Sequence, residues 1–198
     1  MFLERRGATS IVSACNSVSA SLALSLFDPL ETPPANVIEM VGPTVNFFRA
    51  SEARLLLVAT PATILSGIYQ NAFTMIGKQC EFLPIPDLAK AIEFGSGDDD
   101  IERMIYEALS PLQGTFDVLI LACTHYPLVL DTFERVAGGA AVFDPAQAVA
   151  QRVERRLWPR EAGDGRLVFA TTQESALFEA RVEELFGPGH DIEIVTLA

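Results

Sequence analysis

Leu119-Ile120-Leu121-Ala122-Cys123-Thr124-His125 is a short unbroken apolar run that ends on a thiol and two hydrogen-bonding side chains. A run of this length without polar alternation reads as a strand buried on both faces. The same arrangement stands near the start of the chain, in Ile11-Val12-Ser13-Ala14-Cys15-Asn16-Ser17. A third copy, Leu56-Leu57-Val58-Ala59-Thr60-Pro61, has threonine in place of cysteine. Candidate strands are Ser10–Ala14, Arg54–Ala59, Phe82–Ile85, Phe116–Leu121, Ala141–Phe143, Leu167–Ala170 and Ile192–Val195. Helical patterns lie between them at Val18–Phe27, Thr63–Ile76, Ile101–Leu109, Val129–Val136, Ala146–Leu157 and Glu174–Phe186. Apolar strands separated by helices predict an α/β fold with mainly parallel sheets covered on both faces. Loops are expected at Asp28–Asn36, Gly95–Asp100 and Pro159–Gly165.

In open α/β sheets, ligands bind beyond the carboxyl ends of the strands. Cys15, Thr60 and Cys123 are therefore expected to face one ligand crevice. One such cysteine would mean little, because buried cysteine is a common small hydrophobe. Two at matching positions, each followed by polar side chains, suggest chemistry. Helix N-terminal amides stabilise a thiolate beside them and also bind a carboxylate. That combination suits proton abstraction next to a carboxylate, and inversion of a stereocentre needs two acid/base groups on opposite faces. His125 could tune or reprotonate Cys123; it reads equally as a capping or solvent-facing residue. Asn16, Thr60, Thr63 and Thr124 suit carboxylate or ammonium binding, and singly they read as helix caps or turn residues. Cys80 opens a strand and is expected to be structural, and His190 to lie in a surface loop.

Composition narrows the field. Of 198 residues, 49% are hydrophobic and 20% charged, which marks a globular chain. The net charge of −12 argues against a nucleic-acid partner. No apolar run is long enough to span a membrane, and no apolar stretch directly follows the basic start at Arg5-Arg6, so a signal peptide is not expected. Three widely spaced cysteines make neither a zinc signature nor a disulfide framework, and two histidines are too few for a histidine-rich metal site. A cytoplasmic enzyme without metal or cofactor is the expectation. Asp98-Asp99-Asp100 reads as a helix N-terminus, where carboxylates complement the dipole.

Ala122-Cys123-Thr124-His125-Tyr126-Pro127-Leu128 resembles the signature around the second catalytic cysteine of glutamate racemases. Ala14-Cys15-Asn16-Ser17-Val18-Ser19-Ala20 resembles the signature around the first, and the block Ala59–Tyr69 resembles a third. The resemblance runs from about Phe2 to the C-terminal strand. It implies cofactor-independent interconversion of L- and D-glutamate, supplying D-glutamate for peptidoglycan. Cys15 would act on the D-enantiomer and Cys123 on the L-enantiomer, with His125 assisting Cys123. Asn16, Ser17, Thr60, Thr63 and Thr124 would contact the substrate. The family's two pseudo-symmetric lobes, with the active site in the cleft between them, would map to residues 1–40 plus 145–198, carrying Cys15, and 41–144, carrying Cys123. A homodimer is one assembly compatible with this; glutamate is the small-molecule partner implied, with no nucleic acid and no membrane. His125 favours glutamate over aspartate.

Two departures stand out. Ser17-Val18 occupies the place where the family usually has Thr-Ala, which preserves a hydroxyl. The family's opening Asp-Ser-Gly-x-Gly-Gly loop and its later Tyr-Gly-type loop do not occur in the chain. The first lobe is therefore expected to be incomplete, which would expose apolar faces and strand edges. Mean hydropathy of +0.29 agrees with that. The expectation is that residues 1–198 alone are poorly soluble, swapped or inactive, and that a chain extended upstream is active. The alternatives are another racemase of the superfamily, acting on aspartate or a hydantoin, and a non-catalytic binding remnant.

Overall fold

Leu55–Ala59 lies with all five side chains buried, as a strand packed on both faces must. The computed structural model describes residues 2–19, 37–157 and 165–196. Two compact units divide the chain: Ser10–Trp158, and Met1–Thr9 with Pro159–Ala198.

In chain order the larger unit contains β1 (Ile11–Val12), β2 (Val37–Ile38), α1 (Val41–Phe47), β3 (Leu55–Ala59), α2 (Pro61–Leu65), α3 (Ile68–Met75), β4 (Glu81–Pro84), α4 (Leu88–Glu93), α5 (Asp98–Leu109), β5 (Val118–Leu121), α6 (Leu130–Val136), β6 (Ala141–Phe143) and α7 (Ala146–Leu157). Four strands form one parallel sheet in the order β4-β3-β5-β6. Leu57 is level with Phe82 on one side and with Ile120 on the other. β1 and β2 pair in parallel as a separate two-stranded sheet.

Side chains alternate across a strand, and the core follows that period. Leu56, Val58, Leu119 and Leu121 pack with Leu88 of α4, Ile105 of α5 and Phe133 of α6. Leu55, Leu57, Ala59 and Ile120 pack with Val45 of α1 and with Tyr69 and Phe73 of α3. Both faces are covered by helices, as the unbroken apolar runs predict.

Each of the seven expected strands is present, Ala141–Phe143 with the ends expected and the others with one or both ends moved by one or two residues. β2 is an addition; two residues carry no readable period. The helix expected over Thr63–Ile76 is two helices. Gly67, at φ 70°, adopts the left-handed conformation that glycine tolerates, and it separates α2 from α3. α2 starts two residues earlier than expected because Thr60 caps it: the Thr60 hydroxyl accepts from Thr63 N at 3.3 Å, and Pro61 takes the first helical position. Asp98, Asp99 and Asp100 form the first turn of α5, so the loop expected up to Asp100 ends earlier. α1 and α4 escape the hydrophobic pattern. α1 contains Gly42-Pro43, and the Glu39 carboxylate holds its N-terminus, accepting from Gly42 N at 2.8 Å and from Val41 N. Residues 16–19 are helical, which starts the helix expected at Val18–Phe27. The rest of that helix, the Asp28–Asn36 loop and most of the Pro159–Gly165 loop fall outside the described residues.

In the smaller unit, β7 (Phe169–Thr171) pairs in parallel with β8 (Ile192–Ile194), and α8 (Ala176–Phe186) lies between them in sequence. Ser175 caps α8 by accepting from Phe178 N at 3.2 Å. His190 is half-buried in the loop before β8, as expected of a loop residue in position, and sits against Phe169 and Phe186. Among the described residues no helix is long and apolar enough to cross a membrane.

Candidate active site

The carboxyl ends of β1, β3 and β5 supply the three positions singled out in the sequence. β5 is pinned between β3 and β6, and Ala122 N extends the ladder to Val58 O at 2.8 Å. Cys123 therefore leaves the sheet from a fixed point, and it is 7% exposed. Its carbonyl accepts from Tyr126 N at 3.1 Å. Tyr126 is buried beneath it and packs on Phe133. Burial pushes the Cys123 thiol above its ordinary pKa; the amides of His125 and Tyr126 pull it back, and the like charge of Cys15 raises it further.

Cys15 is half-buried at the start of the helical turn 16–19. Its carbonyl accepts from Ser19 N at 2.9 Å and from the Ser19 hydroxyl at 2.7 Å. The same hydroxyl accepts from Met40 N at 3.3 Å, which ties the turn to the segment after β2.

Between the strand ends lies a ring of three hydroxyls. Ser17 Oγ is 2.9 Å from Thr63 Oγ1 and 3.3 Å from Thr60 Oγ1, and the two threonine oxygens are 3.1 Å apart. Thr60 is thus both the helix cap and a member of this ring. Asn16 is buried, and its Oδ1 accepts from the Tyr69 hydroxyl at 2.6 Å. Thr124 is exposed. With Val12, Ala14, Met40, Val149 and Val153 it lines an apolar groove of about 660 Å³.

His125 precedes a single 3-10 turn, Tyr126–Val129, yet makes no side-chain cap to it. Its ring lies between two other groups: Nδ1 is 4.0 Å from Cys123 Sγ, and Nε2 is 2.5 Å from Glu93 Oε2. A carboxylate only accepts hydrogen bonds, so Nε2 carries the proton in the neutral ring and Nδ1 is left as an acceptor toward the thiol.

Cys80 stands apart, at the opposite end of the strands. Burial raises its thiol to about 12, and its Sγ donates to Glu81 O at 3.3 Å. A thiol so hard to ionise suits the structural part expected for it. Among the described residues no group of three or more His, Cys, Asp or Glu side chains converges as a metal site would require.

Residues 2–153 match the model of the family described as Asp/Glu/Hydantoin racemase. The chain belongs to this family. A glutamate racemase of Desulforudis audaxviator is 36% identical over 156 residues, which is 76% of this chain and 56% of that protein. The crystal structure of a glutamate racemase isoform from Bacillus anthracis superposes with a TM-score of 0.83 at 25% identity, covering 99% of this chain and 77% of that one. That of Thermus thermophilus glutamate racemase in complex with β-chloro-D-alanine gives 0.83 at 27% identity, covering 99% and 75%. The chain thus spans between 56% and 77% of the length of these three relatives.

Within this racemase-family chain the fold brings together Cys15, Ser17, Thr60, Thr63, Cys123 and His125, with Asn16 adjoining. Glu93 is the addition. It ends α4 in Ile92-Glu93-Phe94, thirty-two positions before its histidine partner, and reads in sequence as an ordinary helix-end acid. No local signal marks it; only the packing of α4 against the turn after β5 does.

Proposed function

We propose that the protein racemises glutamate without a cofactor, with Cys15 and Cys123 as the two opposed acid/base groups. The observation that carries the reading is the pair of thiols that follow β1 and β5 at matching strand ends, with His125 and Glu93 beside one of them. Starting from L-glutamate, the Cys123 thiolate takes the α-proton: the Cα–H bond breaks and an S–H bond forms. The Cys15 thiol delivers its proton to the opposite face of Cα, leaving D-glutamate and a Cys15 thiolate. The reverse direction exchanges the roles. To restore the starting pair, His125 Nδ1 accepts the proton from Cys123 and passes it to solvent while the Cys15 thiolate takes one from solvent, and Glu93 holds the ring in the tautomer that can do so. Asn16, Ser17, Thr60, Thr63 and Thr124 bind the substrate, and hydrogen bonds to its α-carboxylate stabilise the charge that develops on proton loss.

The lobe division 1–40 plus 145–198 against 41–144 belongs to the same proposal and gives each lobe one thiol. So do the cytoplasmic setting and the use of D-glutamate in peptidoglycan.

The reading is tested by incubating L-glutamate with the native gene product in D2O and following inversion by chiral chromatography with mass detection. Glutamate should invert with deuterium at Cα. Inversion of aspartate alone would move the assignment to a related substrate, and the absence of any inversion would favour a binding remnant.

Replacing Glu93 with glutamine should lower kcat/KM about tenfold, since an amide holds the imidazole more weakly than a carboxylate. Racemisation has an equilibrium constant of one, so the loss must be equal for both enantiomers. Steady-state rates from each side check this; an unchanged kcat/KM would remove Glu93 from the account.

A further inference from the structure

Tyr69 is fully buried, and its hydroxyl lies 2.6 Å from Asn16 Oδ1. That separation suits O–H···O geometry and is short for N–H···O, so the phenol donates and the amide oxygen accepts. Burial, with the charge of Glu39 adding to it, holds the phenol well above its ordinary pKa, so it keeps its proton. The neighbouring Thr44 hydroxyl donates to Met40 O at 2.5 Å. That leaves the Thr44 oxygen able only to accept, and the 2.6 Å contact gives the Tyr69 proton to Asn16 Oδ1.

The consequence falls on the other end of the amide. Asn16 is 2% exposed, and with its oxygen engaged its Nδ2 has no hydrogen-bond partner among the described residues. A buried donor without an acceptor is costly and rare, and calls for an explanation. Asn16 stands between Cys15 and Ser17, and Ser17 belongs to the hydroxyl ring. An acceptor supplied by a ligand in that site would complete Nδ2.

We infer that Tyr69 is a positioning residue: its hydroxyl fixes the orientation of the Asn16 amide so that the NH2 side faces the ligand and selects a carboxylate oxygen. The opposite orientation would turn the carbonyl toward the ligand and select an ammonium. The inference rests on the glutamate reading for the identity of the ligand, and on hydrogen-bond geometry for the orientation.

Tyr69→Phe keeps the ring in its core and removes only the hydroxyl. The first readout is the Asn16 side-chain NH2 pair in ¹⁵N NMR, assigned by its loss in Asn16→Ala. The pair should be protected from exchange in the wild type and should move and lose protection in Tyr69→Phe. The second is steady-state kinetics. Tyr69→Phe should raise KM about tenfold, as expected when one orienting hydrogen bond is lost, with kcat changed little. In an Asn16→Ala background the same change should have no further effect on KM. An NH2 pair indifferent to Tyr69→Phe overturns the inference, and so do KM effects of the two substitutions that multiply. If the wild type does not turn over glutamate, the glutamate reading fails while the amide signal still decides whether Tyr69 orients Asn16.

Discussion

Replacing Cys123 with alanine is expected to lower glutamate racemisation by about a thousandfold or more, within the range that a positioned acid/base group contributes. The loss should be equal from both enantiomers, because each turnover uses one thiolate and one thiol. His125 is held by Glu93 through Nε2, with Nδ1 4.0 Å from the sulfur, so it is not expected to take over from the missing thiol. The pH dependence follows from the site. Burial raises the Cys123 pKa and the charge of Cys15 raises it further. Each turnover alternates Cys123 between thiol and thiolate, so kcat/KM should change over the pH range above the ordinary thiol value in which Cys123 titrates, equally for both enantiomers. The stability sign is related. A Cys123 pKa raised by folding contributes stability that is fully present below the unfolded thiol pKa and disappears as pH climbs through the folded value. Rates measured across neutral to alkaline pH, with Cys123→Ala as the blank, check both statements. Near-normal turnover in Cys123→Ala would contradict the assignment.

Leu57→Ala carries the largest expected effect on stability. Leu57 has no exposed surface, sits in the interior strand β3 between β4 and β5, and packs with Val45, Tyr69 and Phe73. Deleting such a side chain removes buried apolar area and leaves a cavity, at a cost of about 2–5 kcal/mol. For a chain of this size a loss near the middle of that range lowers the melting temperature by roughly 6–14 °C. Leu65→Ala is the matched control. Leu65 is 86% exposed, and its truncation should shift stability by no more than about 0.5 kcal/mol. Thermal unfolding followed by circular dichroism separates the two, and equal melting temperatures would contradict the packing described for β3.

Much of this was legible in the sequence because parallel strands buried on both faces leave unbroken apolar runs. Leu56–Ala59 and Leu119–Leu121 announced the sheet, and the Ala-Cys pairs that follow such runs marked the strand ends at which the ligand site is proposed. What stayed hidden had physical reasons. α1 carries Gly42-Pro43 and is held by the Glu39 carboxylate, a tertiary device without periodicity. The single turn of backbone at Gly67 cuts one helical pattern into two, and a lone glycine inside a pattern does not announce its φ. Glu93 and Tyr69 act through partners thirty-two and fifty-three positions away, so neither has a local signature. Thr60 shows how one residue satisfies two readings, since its oxygen caps α2 and also joins the hydroxyl ring. His125 resolves the other way, with no capping bond and a place between Cys123 and Glu93.

The central claim is that two thiols on opposite faces exchange the α-proton of glutamate, and early turnover in D2O tests it most directly. With L-glutamate as substrate, the D-glutamate formed at low conversion should carry deuterium at Cα, because its hydrogen arrives from the solvent-equilibrated Cys15 thiol. Neither Cys15→Ala nor Cys123→Ala should form D-glutamate at a comparable rate. D-Glutamate that retains the original hydrogen, or inversion that survives the loss of either cysteine, would contradict the account.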